Sequence, residues 1–67
     1  METNYYARSG TGWHSGRLTR EAAIAAADKH SADWRASGAP RHVEAVVYYQ
    51  GQAEPIYRTA AQSQAAG

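Results

Sequence analysis

An alanine-rich helix with clear start and stop signals constrains this fold more than any other segment. We predict that the helix runs from Arg20 to Ser37, because Thr19 can cap its first turn and Gly38, followed by Pro40, ends it. Glu21 places a negative charge near the positive end of the helix dipole. The middle of the segment contains the strongest helix formers, namely Ala22, Ala23, Ala25, Ala26 and Ala27. The other segments must therefore pack against this helix.

The helix has a narrow apolar face made mostly of small side chains. At about 100° per residue, the residues that share this face are Ala23, Ala27, His30 and Trp34, with Ile24, Ser31 and Ala26 beside them. Alanine allows a sheet to approach closely, and we expect Trp34 to supply most of the buried area at one end. We interpret His30 as a packed side chain rather than a ligand.

Three short segments are predicted strands, and their order predicts the fold class. They run from Asn4 to Ser9, from Arg41 to Tyr49 and from Pro55 to Thr59, and a turn at Gly51 joins the last two. This order predicts an α+β fold, in which a three-stranded, mostly antiparallel sheet (β-α-β-β) carries the helix on one face. We expect residues 1–59 to form a single compact domain and residues 60–67 to be a disordered tail.

Length and charge restrict the classes of function. The chain has 67 residues, no cysteine and a net charge of +1, which excludes disulfides and cysteine-bearing zinc sites. The charge balance disfavours both a strongly basic nucleic-acid binder and an acidic DNA mimic. The sequence lacks a membrane-length apolar run and a signal peptide, so we expect a cytoplasmic protein that does not bind a membrane. A core this small also favours association, as a homodimer or on a larger partner.

The glycine-rich loop before the helix does not match a phosphate-binding motif. Gly10, Gly12 and Gly16 miss the dinucleotide-binding spacing by one residue, and no Gly-Lys-Ser/Thr sequence precedes the helix. We therefore interpret the loop as a flexible turn. Trp13 in this loop either folds back to close the core or stays exposed as an anchor for a partner.

No group of residues has the spacing of a catalytic or metal site. The serines lack the sequence context of a nucleophile elbow. The histidines His14, His30 and His42 come from a loop, a helix and a strand, without a zinc-binding spacing. We therefore predict no catalytic residues, no bound metal and no cofactor, and we do not expect an enzyme.

Tyrosines and arginines in the strands indicate a binding surface on the sheet. One helix covers only one face, so alternation leaves Tyr48 and one of Tyr5 or Tyr6 on the open face, while the register of Tyr57 is undetermined. Arg8, His42, Glu44 and Arg58 are expected to border this face. The predicted partner-binding residues are Tyr6, Arg8, Trp13, Tyr48, Tyr57 and Arg58. Such a face fits a dimer interface, a protein docking site, a platform for stacked bases, or simply a poorly covered sheet.

The layout resembles that of small β-α-β-β anti-CRISPR proteins, which phages and mobile elements encode and which bind type I CRISPR surveillance complexes. The matching segments are NYYARS, LTREAAIAAADKH, HVEAVVYY, QGQ and PIYR, which cover most of residues 4–59 in pattern and size. The resemblance implies an inhibitor that occludes a protein surface used for guide or target nucleic acid, with arginines and tyrosines of the open sheet as contacts. Dodecins, which are small flavin-storing oligomers, share the strand order. The short last strand and the positions of the tryptophans depart from their pattern, so flavin is not predicted.

The leading hypothesis is a non-enzymatic, phage-type inhibitor that binds and occludes a bacterial defence complex such as a CRISPR-Cas nucleoprotein. The first alternative is a small nucleic-acid-binding module that uses the tyrosines and arginines of the sheet. The second is a structural homodimer that pairs two open sheets. The sequence identifies neither the partner nor the stoichiometry.

Overall fold

The computed structural model of the protein describes residues 2–38 and 44–59. Its elements are strand β1 (Tyr5–Ser9), helix α1 (Arg20–Ala36), strand β2 (Ala45–Tyr49) and strand β3 (Pro55–Arg58). The order and type of the predicted elements are confirmed. Two predictions lie outside the described residues, namely the beginning of the second strand at residues 41–43 and the tail at residues 60–67.

Helix α1 begins at the predicted capping residue and ends one residue before its predicted end. The hydroxyl oxygen of Thr19 accepts a hydrogen bond from the backbone N–H of Ala22 at 3.2 Å, which satisfies one amide that the first turn leaves unpaired. Ser37 caps the other end, one residue earlier than predicted, and Gly38 follows with a φ of 82°, the left-handed conformation that ends many helices. In the described part of the chain, no helix is both long and apolar enough to cross a bilayer.

The strands form one antiparallel sheet in the order β1-β2-β3. Although α1 connects them, β1 and β2 run antiparallel, so the chain does not form the parallel crossover to which the right-handed rule applies. Helix α1 packs on β1 and β2. The predicted α+β fold is therefore confirmed, with the helix on one face of a fully antiparallel sheet.

The loop between β1 and α1 follows the outer edge of β1 instead of forming a free turn. The N–H of Tyr5 donates to the carbonyl of Leu18 at 3.1 Å, and the N–H of Leu18 donates back to Tyr5 at 2.7 Å. Further along the strand, the N–H of Ser9 donates to the carbonyl of Trp13 at 3.0 Å. This pairing satisfies backbone groups that an edge strand would otherwise expose, and it fixes the position of Trp13.

The pairing of β2 with β3 contains a bulge between Val47 and Tyr48. Val47 lies opposite Tyr57, whereas Tyr48 lies opposite Pro55, so Ile56 is an extra residue in the pairing. The bulge therefore interrupts the regular pairing of β3 with β2 and leaves Ile56 without a partner in β2.

The buried core is made of small side chains. It consists of Ala7, Ala23, Ala27, Ala45 and Val47, and none of these residues has exposed surface. Larger, half-buried side chains surround it, namely Tyr5, Trp13, Leu18, Ile24 and Tyr57. The expectation that alanines let the helix approach the sheet closely is confirmed, because both elements contribute alanines to the same cluster.

Trp34, near the end of α1, is 38% exposed and is not part of the buried core. One turn after Ala27, the inward position is taken by Ser31, which is buried.

Candidate functional site

The sheet face opposite α1 carries a cluster of aromatic and basic side chains, which we call the open face. Alternation within the strands and the pairing between β1, β2 and β3 place five side chains at its centre, namely Tyr6, Arg8, Val46, Tyr48 and Arg58, while His14, opposite Arg8, and Pro55, opposite Tyr48, border it. The residues between them in sequence, such as Ala7 and Val47, are buried against α1. The described residues contain no second helix that covers the open face.

The two tyrosines of the open face are stacked on each other. The rings of Tyr6 and Tyr48 have centroids 5.5 Å apart and planes inclined by 19°. The guanidinium carbon of Arg8 lies 5.9 Å from the centroid of Tyr48, within the range of a cation–π contact. Three predicted binding residues therefore contact one another and form a preorganised unit at the centre of the face.

Among the described residues, the charged side chains of the open face are basic and none is acidic. Arg8 and Arg58 are exposed, and neither forms an ion pair with any residue in the ranges 2–38 and 44–59. The carboxylates of the chain lie elsewhere, on the helix (Glu21, Asp28, Asp33), beside Arg35 (Glu44) and along a groove on the helix side (Glu2, Glu54). The face is therefore complementary to a negatively charged partner.

Two predicted contact residues lie on the helix side of the sheet instead. Tyr57 packs against the core, and its hydroxyl donates to Oδ1 of Asp28 at 2.6 Å. Trp13 folds back onto the same core and stacks on His30, with ring centroids 4.2 Å apart and planes inclined by 8°. The structure thus groups Tyr6, Arg8, Tyr48 and Arg58 on one face and separates them from Tyr57 and Trp13.

A polar network joins the helix to the ends of β2 and β3, and it corrects the position expected for Glu44. The hydroxyl of Thr59 donates to Glu44 at 2.6 Å, and Nη2 of Arg35 donates to both oxygens of the same carboxylate at 2.7 and 2.8 Å. Glu44 was expected to border the open face, but these bonds turn it towards the helix. The other residue expected there, His42, lies outside the described residues.

The same network sets the ionisation of Glu44. Burial raises the pKa of this carboxyl. The hydrogen bonds from Thr59, Arg35 and Ser31, together with the positive charge of Arg35, outweigh burial and hold the pKa of Glu44 below its ordinary value. The ionised carboxylate is therefore the form that the fold stabilises.

The pair of Ser9 and His30 comes closer to a catalytic arrangement than the sequence indicated. Oγ of Ser9 lies 3.0 Å from Nε2 of His30. The same oxygen lies 2.7 Å from Oγ1 of Thr11 and accepts the N–H of Thr11, while the His30 ring is covered by Trp13. A nucleophile also needs room for a substrate and donors for the developing oxyanion. We interpret this pair as a link between β1 and α1.

Sequence reasoning missed a groove of about 710 Å³ on the helix side of the sheet. Its apolar wall contains Tyr5, Tyr49 and the 41% exposed Ile56, and its polar lining includes Arg20. A hydrogen bond to Glu2 raises the pKa of the Tyr49 phenol. The groove had no signal in the sequence, because its lining residues come from separate segments.

No described group of three or more histidine, aspartate or glutamate residues is arranged to hold a metal ion. Comparison with known proteins adds no further candidate. No protein-family model, curated protein or solved structure gives a significant match to the chain. The geometry of the open face is therefore the basis on which we propose a function.

Proposed function

We propose that this protein is a non-catalytic binding protein that occludes a surface of a larger protein assembly with its open face. The observation that supports the proposal is the stacked pair of Tyr6 and Tyr48, flanked by the exposed Arg8 and Arg58. Aromatic residues and arginine contribute most of the binding energy in many protein interfaces. Rings that already contact each other lose little conformational freedom when a partner binds.

The partner that we propose first is a type I CRISPR surveillance complex. This choice comes from the resemblance of the β-α-β-β layout to small anti-CRISPR proteins, which inhibit by covering a surface. Such inhibition requires a stable, exposed contact surface and no chemistry on the part of the inhibitor. The open face fulfils the first requirement, since both arginines are exposed and their charge is not neutralised within the described residues.

The test is co-purification of the tagged protein from bacteria that express a type I surveillance complex, with and without nuclease treatment. The key variant is Arg8→Ala/Arg58→Ala, because both side chains are exposed and their removal leaves the core intact. The matched control is Arg17→Ala/Lys29→Ala, which also removes two exposed positive charges but lies outside the open face. Circular dichroism verifies that each variant is folded.

We expect the wild type and the control variant to retain the complex after nuclease treatment, and the Arg8/Arg58 variant to lose it. In a plaque assay, the wild type should restore growth of a phage that the CRISPR system targets. Retention of the complex by the Arg8/Arg58 variant would contradict the proposed use of the open face. Loss of every partner on nuclease treatment would favour nucleic-acid binding, and recovery of the bait alone as a dimer in sedimentation would favour the homodimer.

A further inference from the structure

We infer that the open face recognises an acidic amphipathic helix of a partner protein, with carboxylates on Arg8 and Arg58 and an apolar side chain on Val46. The inference rests on the proposed function, since it names the chemistry of the surface that the open face covers. It follows from three observations, which are the register of the sheet, the distribution of charge and the arrangement of the aromatic rings.

The register places the two arginines on either side of Val46 in one row across the strands. Arg8 lies directly opposite Val46 on one side, and Arg58 lies directly opposite Val46 on the other. Opposed Cα atoms in an antiparallel sheet are about 5 Å apart. The Cα atoms of the two arginines are therefore about 10 Å apart, with a half-buried apolar side chain between them.

An α-helix that lies across the strands matches this spacing. Helical residues seven positions apart share a face and are separated by about 10.5 Å along the axis. In such a partner helix, the residues three and four positions after the first of these two lie between them on the same face and can contact Val46. An extended segment fits less well, because its same-face residues are separated by about 6.7 or 13 Å.

The distribution of charge selects carboxylate as the complementary group. The open face has two exposed guanidinium groups, and no aspartate or glutamate side chain of the described residues lies on it. A guanidinium group binds a carboxylate through two parallel N–H donors. The contact with the ring of Tyr48 holds Arg8 in place and leaves its N–H edge available for such a pair.

The aromatic rings argue for a protein partner over a nucleic acid. A platform for stacked bases presents ring faces to the nucleic acid. Here Tyr6 and Tyr48 are stacked on each other, so one face of each ring is already occupied. A face with only two arginines on a chain of net charge +1 also offers few contacts for a phosphate backbone.

The experiment is a titration of the ¹⁵N-labelled full chain, followed by the amide resonances in two-dimensional NMR spectra. The probe is a 15-residue helical peptide with glutamates seven positions apart and leucines three and four positions after the first glutamate. One control peptide has both glutamates replaced by glutamine, and a second has them two positions apart. A dT15 oligonucleotide is titrated separately.

We expect the first peptide to shift amides of the open face and to leave those of α1 unchanged. Replacement of its glutamates, or Arg8→Ala/Arg58→Ala in the protein, should weaken binding by about tenfold or more, since each substitution removes charge-assisted hydrogen bonds. The Arg17→Ala/Lys29→Ala control should bind like the wild type.

Three results would overturn the inference. They are the absence of shifts at the open face, equal binding of the glutamine peptide, and tighter binding of dT15 than of the peptide at the same amides. If the Arg8/Arg58 variant loses its partner in co-purification but the peptide does not bind, the proposed function stands and the acidic helix is wrong. Failure of the proposed function is recognised separately, by retention of all partners in that variant.

Discussion

The hydroxyl of Tyr57 donates to Oδ1 of Asp28 at 2.6 Å and joins strand β3 to the exposed side of α1, across 29 positions of the chain. This contact fixes the side of the sheet on which Tyr57 lies. Burial, followed by the hydrogen bond to Asp28 and its negative charge, raises the pKa of Tyr57 to about 12. All three causes disfavour the phenolate, because a half-buried anion beside a carboxylate is poorly stabilised.

We predict that Tyr57 ionises with a pKa of about 12 in a spectrophotometric pH titration of the folded protein. Tyr49 also has a raised pKa, so the signal is assigned with Tyr57→Phe, which should remove the ionisation near 12. Asp28→Asn should lower the pKa of Tyr57, since it removes the negative charge. A Tyr57→Phe variant that loses no ionisation near pH 12 while the circular dichroism spectrum stays native would contradict the prediction.

The raised pKa of Tyr57 makes the free energy of unfolding depend on pH in the alkaline range. The pKa of Tyr57 is higher in the folded protein than in the unfolded chain, where it is about 10. Its contribution to the free energy of unfolding is therefore fully present below pH 10 and is lost as the pH rises from about 10 to about 12. Tyr57→Phe should lose less stability than the wild type over this range.

Glu44 is predicted to make the fold sensitive to acid. The pKa of Glu44 is lower in the folded protein than in the unfolded chain. Its contribution to the free energy of unfolding is therefore present above the ordinary carboxyl pKa and is lost as the pH falls through the pKa of the folded protein. Glu44→Gln should lower the free energy of unfolding by about 1–3 kcal/mol at neutral pH, since charge-assisted bonds to Arg35 and Thr59 are lost. Urea unfolding at pH 7 and at pH 3 measures both effects.

Asp33→Asn is the matched control for Glu44. Asp33 pairs with Lys29 at 3.1 Å, but both side chains are largely exposed, so the substitution should change stability by less than about 0.5 kcal/mol. If Glu44→Gln behaves like the Asp33 variant at both pH values, the network around Glu44 does not contribute to stability.

His30 is predicted to stabilise the fold through its stacking on Trp13 and its hydrogen bond to Ser9. His30→Ala removes both contacts and should cost about 1–3 kcal/mol in the free energy of unfolding. Ser9→Ala keeps the stacking, removes the hydrogen bonds of the hydroxyl to His30 and Thr11, and should cost less. Tryptophan fluorescence during urea unfolding reports these differences, because Trp13 lies at the contact. His14→Ala, an exposed control, should match the wild type, and an equal effect of the two histidine substitutions would contradict the prediction.

The sequence predicted the elements well, because their signals are local. Thr19 and Gly38 mark the ends of the helix through bonds and dihedral angles within a few residues of each other. Alternation in β1 correctly separated Ala7, which is buried, from Tyr6 and Arg8. The antiparallel three-stranded sheet then followed from the number and order of these elements.

Membership of the open face was predicted correctly only where the strands alternate regularly and pair without a bulge. Tyr6 and Tyr48 share a face because they are opposed in a regular part of the sheet, and Arg58 joins them through Val46. Tyr57 was grouped with them because its register was undetermined. Glu44 was misplaced because its position depends on Arg35 and Thr59, which lie nine residues before it and fifteen after it.

By itself, the sequence determined the helix, the three strands and their order, since capping, helix propensity and alternation act between neighbouring residues. Only the tertiary structure decided which side chains meet. It placed the loop along β1, introduced the bulge at Ile56, left Trp34 partly exposed and stacked Tyr6 on Tyr48. These features depend on register and on the relative lengths of packed elements, which are set by contacts between residues far apart in the chain.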